Sequence, residues 1–431
     1  MRSEEAKYNE GRIMSEDKFK YQGAGREYQK QLLTAWYERL QSAKDDGRKV
    51  AYLFVPGNIA EFLRVFDFEL VFPEVNALQC GVRKTSGDLI LKAEDVGYSP
   101  DVCGYVKNDI GMMLAGNISP SGTRLPKPDL LLCTYCGCTT FIKWFEALAH
   151  YYDVPLVMLD VPYLRSNTIE EEDRQYIVSQ LKELAVICEK ITGKTYDHDK
   201  LVEITRHSAE AEDLWVQILH SAKHKPSPFD SYFEAVFFMA PIYVLRGIPE
   251  CTDYYRRALL EIQERIEHGV GPIPEEKFRV VIEGPPPWPH FRSFWELLKK
   301  WGVCAVASSY SKVGGFWDHG FRHDPTRPLE SIADYCLTCY TNLNLPMRTD
   351  LLHSYAEEYS ADAIVIHSVK SCRSFSVGQA DMREQFIRKW DIPTLLIESD
   401  LADPRYFQVA QLRNRIDAFF ESLEHKRLVH A

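Results

Sequence analysis

The sequence predicts an α/β protein with two parallel-sheet domains and with helical segments before and between them. Short apolar runs end in turn residues and precede stretches whose apolar side chains recur at helical spacing, which is typical of strand–loop–helix units. The same plan occurs in both halves of the chain, and a charged segment with helical periodicity separates them. A length of 431 residues also favours more than one domain.

The N-terminal segment, residues 1–48, is polar, and its apolar side chains between residues 29 and 42 recur at helical spacing. We expect a first α/β domain over residues 49–167, because it contains three short apolar runs separated by turns. These predicted strands are residues 50–55, 130–133 and 154–159. The last two flank a predicted helix over residues 141–151, and strand, helix and strand in succession predict a parallel crossover.

Residues 168–275 predict a helical insert, because charged and apolar residues alternate at a 3.6-residue period over much of this stretch. A second α/β domain is expected over residues 276–431. Its predicted strands are residues 278–282, 303–308, 362–367 and 393–397. Its predicted helices are residues 291–301, 347–359, 379–390 and 409–423. The repeated order favours two Rossmann/flavodoxin-like sheets that face each other.

Composition excludes several classes of partner. The formal net charge is −11, and an acidic surface repels phosphate backbones, so we expect no nucleic-acid partner. The longest apolar run, residues 235–245, is too short to cross a membrane and contains Pro241. The polar N-terminus lacks the apolar core of a signal peptide. We therefore expect a cytoplasmic protein with no membrane partner.

Four cysteines lie in loops of the predicted α/β units. They are Cys103, Cys136, Cys339 and Cys372. They form one pair in each half of the chain, and 33 positions separate the members of each pair. Side chains at the carboxyl ends of parallel strands point into the crevice where such sheets bind ligands. Sulfur ligands from distant segments therefore predict a metal cluster, and favour an iron–sulfur cluster.

Other interpretations of the 11 cysteines stay open. Cys-x-x-Cys occurs twice, at Cys133/Cys136 and at Cys336/Cys339, so a structural zinc site is an alternative. The first pair could also be a thioredoxin-like dithiol. The remaining interpretation is packing in the core. We expect it for Cys80, Cys133, Cys138, Cys188, Cys251 and Cys304.

Three further motifs are ambiguous. Residues 192–195, Thr-Gly-Lys-Thr, match the end of a phosphate-binding loop, but Cys188 stands where the first glycine should be, so we expect no nucleotide site here. His319 and His323 predict a surface or pocket loop, with a proton donor or a metal site as alternatives. Glu283 and Trp288 predict either a pocket wall or a turn with a packed indole.

A resemblance to a known family covers roughly residues 50–420. The run PDLLLCTYC over residues 128–136 resembles the first cluster loop of the 2-hydroxyacyl-CoA dehydratase and benzoyl-CoA reductase family. Further segments similar to that family are residues 101–107, 154–162 and 359–400. Residues 313–315 and 340–343 are most similar to B-type subunits of the ATP-dependent benzoyl-CoA reductases.

The resemblance implies that Cys136, Cys339 and Cys372 are ligands of a [4Fe-4S] cluster, and that Cys103 is the fourth ligand or lies close to it. Gly137 departs from the family pattern, because Asp often follows the first ligand cysteine.

It also implies an oxidoreductase subunit that is active only in a multi-subunit complex. A homologous cluster-bearing subunit would pair with this chain. ATPase subunits would use ATP, which this chain would not bind, and would pass on electrons from reduced ferredoxin. The aromatic acyl-CoA substrate, benzoyl-CoA, would be reduced through a ketyl-type radical to a cyclohexadienoyl-CoA in anaerobic aromatic degradation. The alternatives are a subunit of a 2-hydroxyacyl-CoA dehydratase, which is a lyase, and a non-catalytic cluster carrier.

Overall fold

Two parallel β-sheets, one from each half of the chain, organise the computed structural model and confirm the predicted α/β class. The structure describes residues 20–21, 23–315 and 319–430. Most of the first half of the predicted N-terminal segment, before residue 24, therefore lies outside the described residues. The strands of the first sheet are β1 (Val50–Leu53), β2 (Glu69–Val71), β3 (Leu130–Tyr135) and β4 (Leu156–Asp160). The strands of the second sheet are β5 (Phe278–Glu283), β6 (Val303–Ser308), β7 (Ala363–Val369) and β8 (Thr394–Ser399).

Both sheets have the same topology. The first has the order β2-β1-β3-β4 and the second has the order β6-β5-β7-β8, with every pairing parallel. This is the flavodoxin-like order, in which the chain changes direction along the sheet between its first and third strands. The loops after these two strands diverge and leave a crevice. The prediction missed β2, because three residues carry too little periodicity to identify a strand.

Helices cover the sheets and form the insert. Those up to β4 are α1 (Ala24–Ser42), α2 (Ala60–Val65), α3 (Pro73–Val82), α4 (Ser86–Asp95), α5 (Gly104–Leu114) and α6 (Thr139–Tyr152). The insert contains α7 (Glu171–Thr192), α8 (His198–Ser221), α9 (Ala240–Val244) and α10 (Pro249–Glu267). The remainder are α11 (Phe291–Lys299), α12 (Pro328–Leu337), α13 (Leu345–Glu358), α14 (Arg373–Ser376), α15 (Gln379–Trp390) and α16 (Val409–His430). In the described part of the chain, none of them is both long and apolar enough for a transmembrane span.

The helices α3, α4 and α5 were not predicted, and glycine explains part of the difference. Glycine lowers helix propensity, so a sequence that contains Gly104 and Gly111 does not predict a helix strongly. In the structure, a Cβ at Gly111 would lie 2.0 Å from the carbonyl oxygen of Leu89. The glycine therefore allows α5 to pack directly against the backbone of α4, and this contact outweighs the weak propensity.

One apolar core runs through both sheets and the insert, and a second cluster fills the space between the second sheet and the helices α11 and α16. The insert is therefore packed on both α/β units. The predicted boundaries at residues 49, 168 and 276 stay a prediction.

A buried ion-pair cluster ties the insert to the first unit. Arg246 donates to Oε1 of Glu61 in α2 at 2.8 Å and to Oε1 of Glu212 in α8 at 2.5 Å. Its guanidinium also lies 4.6 Å above the ring of Tyr335 in α12. Although burial alone would raise the pKa of Glu61, the charge of Arg246 lowers this pKa to about 2. The charge of Arg246 thus holds Glu61 as an anion, and Glu212 is ion-paired to the same cation.

The two histidines lie in a loop, as one part of their prediction has it, but both are buried and not at the surface. Nδ1 of His323 lies 2.9 Å from Oε1 of Glu212. The ring of His319 stacks on Tyr355 with 4.3 Å between ring centroids. Glu61, Glu212 and His323 together offer oxygen and nitrogen ligands to a metal ion. Arg246 already neutralises both carboxylates, so we interpret this cluster as structural.

Replacing Arg246 with Leu should lower the free energy of unfolding by about 3–5 kcal/mol, because it leaves two carboxylates buried without their cation. Urea denaturation of the full chain measures this loss. The matched control is Arg256→Ala in α10, whose ion pairs with Glu210 and Asp253 are half-exposed and should contribute less than about 1 kcal/mol. Equal losses in the two variants would contradict the assigned role of Arg246.

Candidate functional site

The four predicted loop cysteines occupy equivalent places in the two sheets. Cys136 follows β3 and Cys372 follows β7, which are the third strands of their sheets. Cys103 and Cys339 lie earlier in each unit, just before α5 and before a 3₁₀ turn at Tyr340–Asn342. The equal spacing of the two pairs therefore follows from the repeated topology. All four loops lie where the two units face each other.

These loops border one cavity of about 330 Å³. Cys103, Cys339 and Cys372 line it, and Cys136 is fully buried next to Cys339. Aromatic side chains form much of the remaining wall. They include Tyr105, Phe141, Trp288, Tyr310, Tyr340 and Phe375. The structure thus brings the predicted cysteine loops to one apolar cavity. Trp288 is packed in a turn and also lines this cavity, whereas Glu283 does not line it.

Cys136 and Cys339 come from different sheets, and their thiols lie close enough to interact electrostatically. The neighbouring Cys136 thiol, together with backbone hydrogen bonds at Thr341 and Gly57, lowers the pKa of Cys339 to about 7. Gly57, in the loop after β1, allows this approach: its φ is +64°, and a Cβ there would lie 2.9 Å from Sγ of Cys136. One member of the pair is therefore ready to become a thiolate.

Cys103 and Cys372 form the other side of the site. Burial, and then the neighbouring Cys138 sulfur, raise the pKa of Cys372 to about 12. Burial, and then Cys372, raise the pKa of Cys103 further. Neighbouring thiols repel one another when ionised, so a cation at this point would favour their charged forms. The donor set suits an iron–sulfur cluster, which is held by thiolates.

Backbone contacts join the Cys136 loop to the Cys339 loop. The Thr341 hydroxyl donates to the carbonyl oxygen of Cys136 at 2.7 Å. Gly137 has a φ of +82°, and a Cβ there would lie 2.0 Å from the carbonyl oxygen of Thr341. The departure of Gly137 from the family pattern thus has a steric reason in this chain, since a side chain would push the two loops apart.

A buried ion pair joins the Cys339 loop to the Cys372 loop. Nη2 of Arg348 donates to Oε1 of Glu283 at 2.7 Å, and the Tyr340 hydroxyl donates to Oε2 at 2.7 Å. Arg348 also donates to the carbonyl oxygens of Ser374, at 3.1 Å, and Phe375, at 3.2 Å. Glu283 is fully buried, so its role is to hold these loops rather than to meet solvent.

The Cys103 loop is joined to the Cys372 loop in the same way. The Gly104 amide donates to Oγ of Ser371 at 3.1 Å. The Ser371 amide in turn donates to Oδ2 of Asp400, after β8, at 3.0 Å. The Ser374 hydroxyl adds a bond to the carbonyl oxygen of Gly137 at 3.0 Å. Each cysteine loop is therefore fixed to at least one other.

The other cysteines occupy different surroundings. Cys80, Cys133, Cys188, Cys251 and Cys304 are buried, as predicted. Cys138 differs from its prediction, because it is half-buried and lines the cavity beside Cys372. Cys138 directly precedes α6. The short loop that buries Cys136 leaves Cys138 at the cavity wall.

Residues 192–195, which match the end of a phosphate-binding loop, lie at the wrong end of a helix to bind phosphate. Gly193 caps the C-terminal end of α7, where a helix presents carbonyl oxygens, whereas phosphates bind at helix N-termini. Lys194 forms an ion pair with Asp67.

Sequence reasoning missed Glu74, which lines the same cavity. Its Oε2 accepts a hydrogen bond from the Val55 amide at 2.6 Å. Burial raises the pKa of Glu74 to about 8, so this carboxyl keeps its proton at neutral pH. Pro73 and Glu74 at the start of a helix are a recognisable start signal. No spacing in the sequence, however, links that helix to the cysteine loops.

Comparison with known proteins finds one family and several similar subunits of acyl-CoA dehydratases and reductases. The family described as 2-hydroxyglutaryl-CoA dehydratase, D-component, matches residues 58–423. The B-type subunit of benzoyl-CoA reductase from Thauera aromatica is 48% identical over 407 residues, which cover 93% of this chain and 94% of that protein. The (R)-2-hydroxyisocaproyl-CoA dehydratase alpha subunit of Clostridioides difficile is 30% identical, with 92% and 95% covered. The (R)-phenyllactyl-CoA dehydratase alpha subunit of Clostridium sporogenes is 29% identical, with 89% and 92% covered.

Replacing Arg348 with Met should lower the free energy of unfolding by about 3–5 kcal/mol, because Glu283 then stays buried without its cation. The double variant Arg348→Met/Glu283→Gln should recover at least about 1 kcal/mol of that loss, because the uncompensated charge is gone. Urea denaturation of the full chain checks both values. A double variant less stable than Arg348→Met would show that charge compensation is not what Arg348 provides.

Proposed function

The chain belongs to the 2-hydroxyglutaryl-CoA dehydratase D-component family, and we propose that it is the iron–sulfur subunit of an ATP-dependent, ferredoxin-driven benzoyl-CoA reductase. The observation that carries this proposal is the convergence of cysteine loops from both sheets on one cavity with an aromatic wall. The 48% identity to a benzoyl-CoA reductase subunit, against 30% to a dehydratase subunit, supports reduction over dehydration. The product would be a cyclohexadienoyl-CoA.

Within this proposal, Cys136, Cys339 and Cys372 hold a [4Fe-4S] cluster, and Cys103 is the fourth ligand. Their placement on four loops that are hydrogen-bonded to one another supports the assignment. When bound, the cluster supplies single electrons at low potential, which the reduction of an aromatic thioester to its ketyl-type radical requires.

The residues of this chain bind the acyl group and supply a proton. The aromatic wall offers flat apolar surface to a benzoyl ring and excludes water from it. Glu74 holds a proton inside the cavity, and the Val55 amide fixes its carboxyl group there. The ionisable groups that face Glu74 include the hydroxyls of Tyr105, Tyr243 and Tyr310 and the Cys339 thiol. We propose that Glu74 supplies one of the two protons that the ring gains with its two electrons, the other coming from solvent.

The partners follow from the same proposal. A homologous cluster-bearing subunit pairs with this chain, and ATPase subunits deliver electrons that originate from reduced ferredoxin. ATP binds to those subunits and not to this chain. The complex works in the cytoplasm of an anaerobic aromatic degrader.

The second candidate is a subunit of a 2-hydroxyacyl-CoA dehydratase. The family match and the 30% identity to an (R)-2-hydroxyisocaproyl-CoA dehydratase subunit favour it. In a dehydratase the electron returns after each turnover. The two candidates therefore differ in whether the reductant is consumed in proportion to the product.

An anaerobic assay of the full complex with benzoyl-CoA, ATP and a low-potential donor tests the function directly. We expect two electrons to be consumed for each cyclohexadienoyl-CoA formed, because one double bond of the ring is reduced. Loss of water from a 2-hydroxyacyl-CoA without net consumption of the donor would support the dehydratase instead. A complex that contains iron but binds neither benzoyl-CoA nor a 2-hydroxyacyl-CoA would favour the alternative of a non-catalytic cluster carrier.

Replacing Cys136, Cys339 or Cys372 with Ser should remove most of the iron together with the activity, because each loses a thiolate ligand. The matched control is Cys133→Ser, in the same segment as Cys136 but buried in β3, which should keep its iron. Iron analysis and anaerobic absorption spectra of the purified complex measure both. A Cys372→Ser complex with full iron would contradict the ligand assignment.

Replacing Glu74 with Gln should lower kcat by about 10²–10⁴-fold, because the amide keeps the shape of the side chain but cannot supply the proton. Iron content and acyl-CoA binding should stay close to those of the unmodified complex. The control is Glu146→Gln, an exposed carboxylate on α6. Turnover by the Glu74→Gln complex at the unmodified rate would show that the proton comes from elsewhere.

A further inference from the structure

We propose that the hydroxyl of Thr341 donates its hydrogen to the sulfur of Cys339 when that sulfur is a cluster ligand, and that this bond raises the reduction potential of the cluster. The inference rests on the proposed function, because it concerns the cluster that the cysteine loops would hold. Thr341 acts through Cys339 and touches no reacting atom of the substrate, so it is a positioning residue.

The hydroxyl of Thr341 lies between two partners. Its oxygen is 2.7 Å from the carbonyl oxygen of Cys136 and 3.4 Å from the sulfur of Cys339. A carbonyl oxygen can only accept, so the single hydrogen of the hydroxyl is used in the bond to Cys136. The Cys339 thiol must therefore donate its own hydrogen to the oxygen of Thr341. This arrangement holds as long as the thiol keeps its proton.

Cluster binding removes one of these two hydrogens. Cysteine binds iron as a thiolate, so Cys339 as a ligand has no hydrogen to donate and becomes an acceptor. The thiolate and the Cys136 carbonyl then compete for the hydrogen of Thr341. Hydrogen bonds to a charged group are roughly twice as strong as those between neutral groups, so the thiolate is the favoured acceptor. Rotation about the Cβ–Oγ1 bond redirects the hydrogen without moving the oxygen.

Other contacts hold Thr341 in place when its hydrogen turns. The carbonyl oxygen of Thr341 packs against Gly137, where a Cβ would lie only 2.0 Å from it. The Ser374 hydroxyl donates to the carbonyl oxygen of Gly137 at 3.0 Å and joins the same loop from the other side. The hydroxyl oxygen of Thr341 therefore stays beside the Cys339 sulfur, whichever acceptor its hydrogen serves.

A donor at a ligand sulfur changes the reduction potential. Reduction adds one electron and no proton to the cluster, and part of the added negative charge resides on the ligand sulfurs. A hydrogen bond to such a sulfur stabilises the reduced form more than the oxidised form. The bond is strengthened here because Cys339 is half-buried at the wall of a largely apolar cavity. Thr341 thus makes the cluster easier for the electron-donating subunits to reduce.

The test is a redox titration of the full complex, followed by electron paramagnetic resonance. The signal of this chain's cluster is the one that the Cys372→Ser complex lacks. Thr341→Val removes the hydroxyl and nearly keeps the shape of the side chain. We expect the ratio of reduced to oxidised cluster at a fixed potential to fall about 3–10-fold, which is a shift of about 30–60 mV to more negative potential at about 59 mV for each factor of ten. Thr341→Ser keeps a hydroxyl and should keep the unmodified potential.

The matched control is Ser374→Ala, which removes the other hydroxyl bond between these loops and should leave the potential unchanged. Iron content is measured in every variant. An unchanged potential in Thr341→Val, or equal shifts in Thr341→Val and Ser374→Ala, would overturn the inference. Loss of iron from Thr341→Val but not from Thr341→Ser would also overturn it, because the hydroxyl would then serve to hold the loops. An unmodified complex without a reducible cluster in this chain would instead overturn the proposed function.

Discussion

Hydrogen bonds between the loops of two sheets fix the site, and every other feature depends on them. The Thr341 hydroxyl reaches the Cys136 carbonyl across the interface between the units, and Ser374 reaches Gly137 in return. Without these bonds, the repeated topology would give two separate crevices, each with two thiols. With them, the two crevices merge into one cavity. Gly57 and Gly137 are needed because side chains at these positions would occupy the contact itself.

Charge is balanced differently in the framework and in the cavity. Glu283 and Arg348 form a complete ion pair outside the cavity, and Glu61 and Glu212 share Arg246 further away. The cavity, in contrast, is lined mainly by uncharged groups, which are thiols, tyrosine hydroxyls and the protonated Glu74, although Lys312 also lines it. The framework thus keeps its charges paired, while the cavity stays apolar enough to favour an aromatic acyl group. Negative charge that develops there would be stabilised by few, well-placed donors.

The sequence predicts the parts of this arrangement that depend on local pattern. The strands β3, β5, β6 and β7 are buried apolar runs, and such runs are visible without a structure. The four loop cysteines could be selected because they follow the repeated plan. Their connections could not be predicted, because Thr341 and Cys136 are 205 positions apart, and Arg348 and Glu283 are 65 apart. Glu74 and the burial of His319 and His323 depend on such tertiary contacts, which leave no periodic signal.

In the proposed site, thiols from both sheets hold a single inorganic core. An anaerobic crystal structure of the complex, with anomalous diffraction at the iron edge, measures this directly. We expect one compact iron signal in the cavity of this chain, bonded to Sγ of Cys136, Cys339 and Cys372. Iron bound only by the cysteines of one sheet, or four thiols without iron in an active complex, would contradict it.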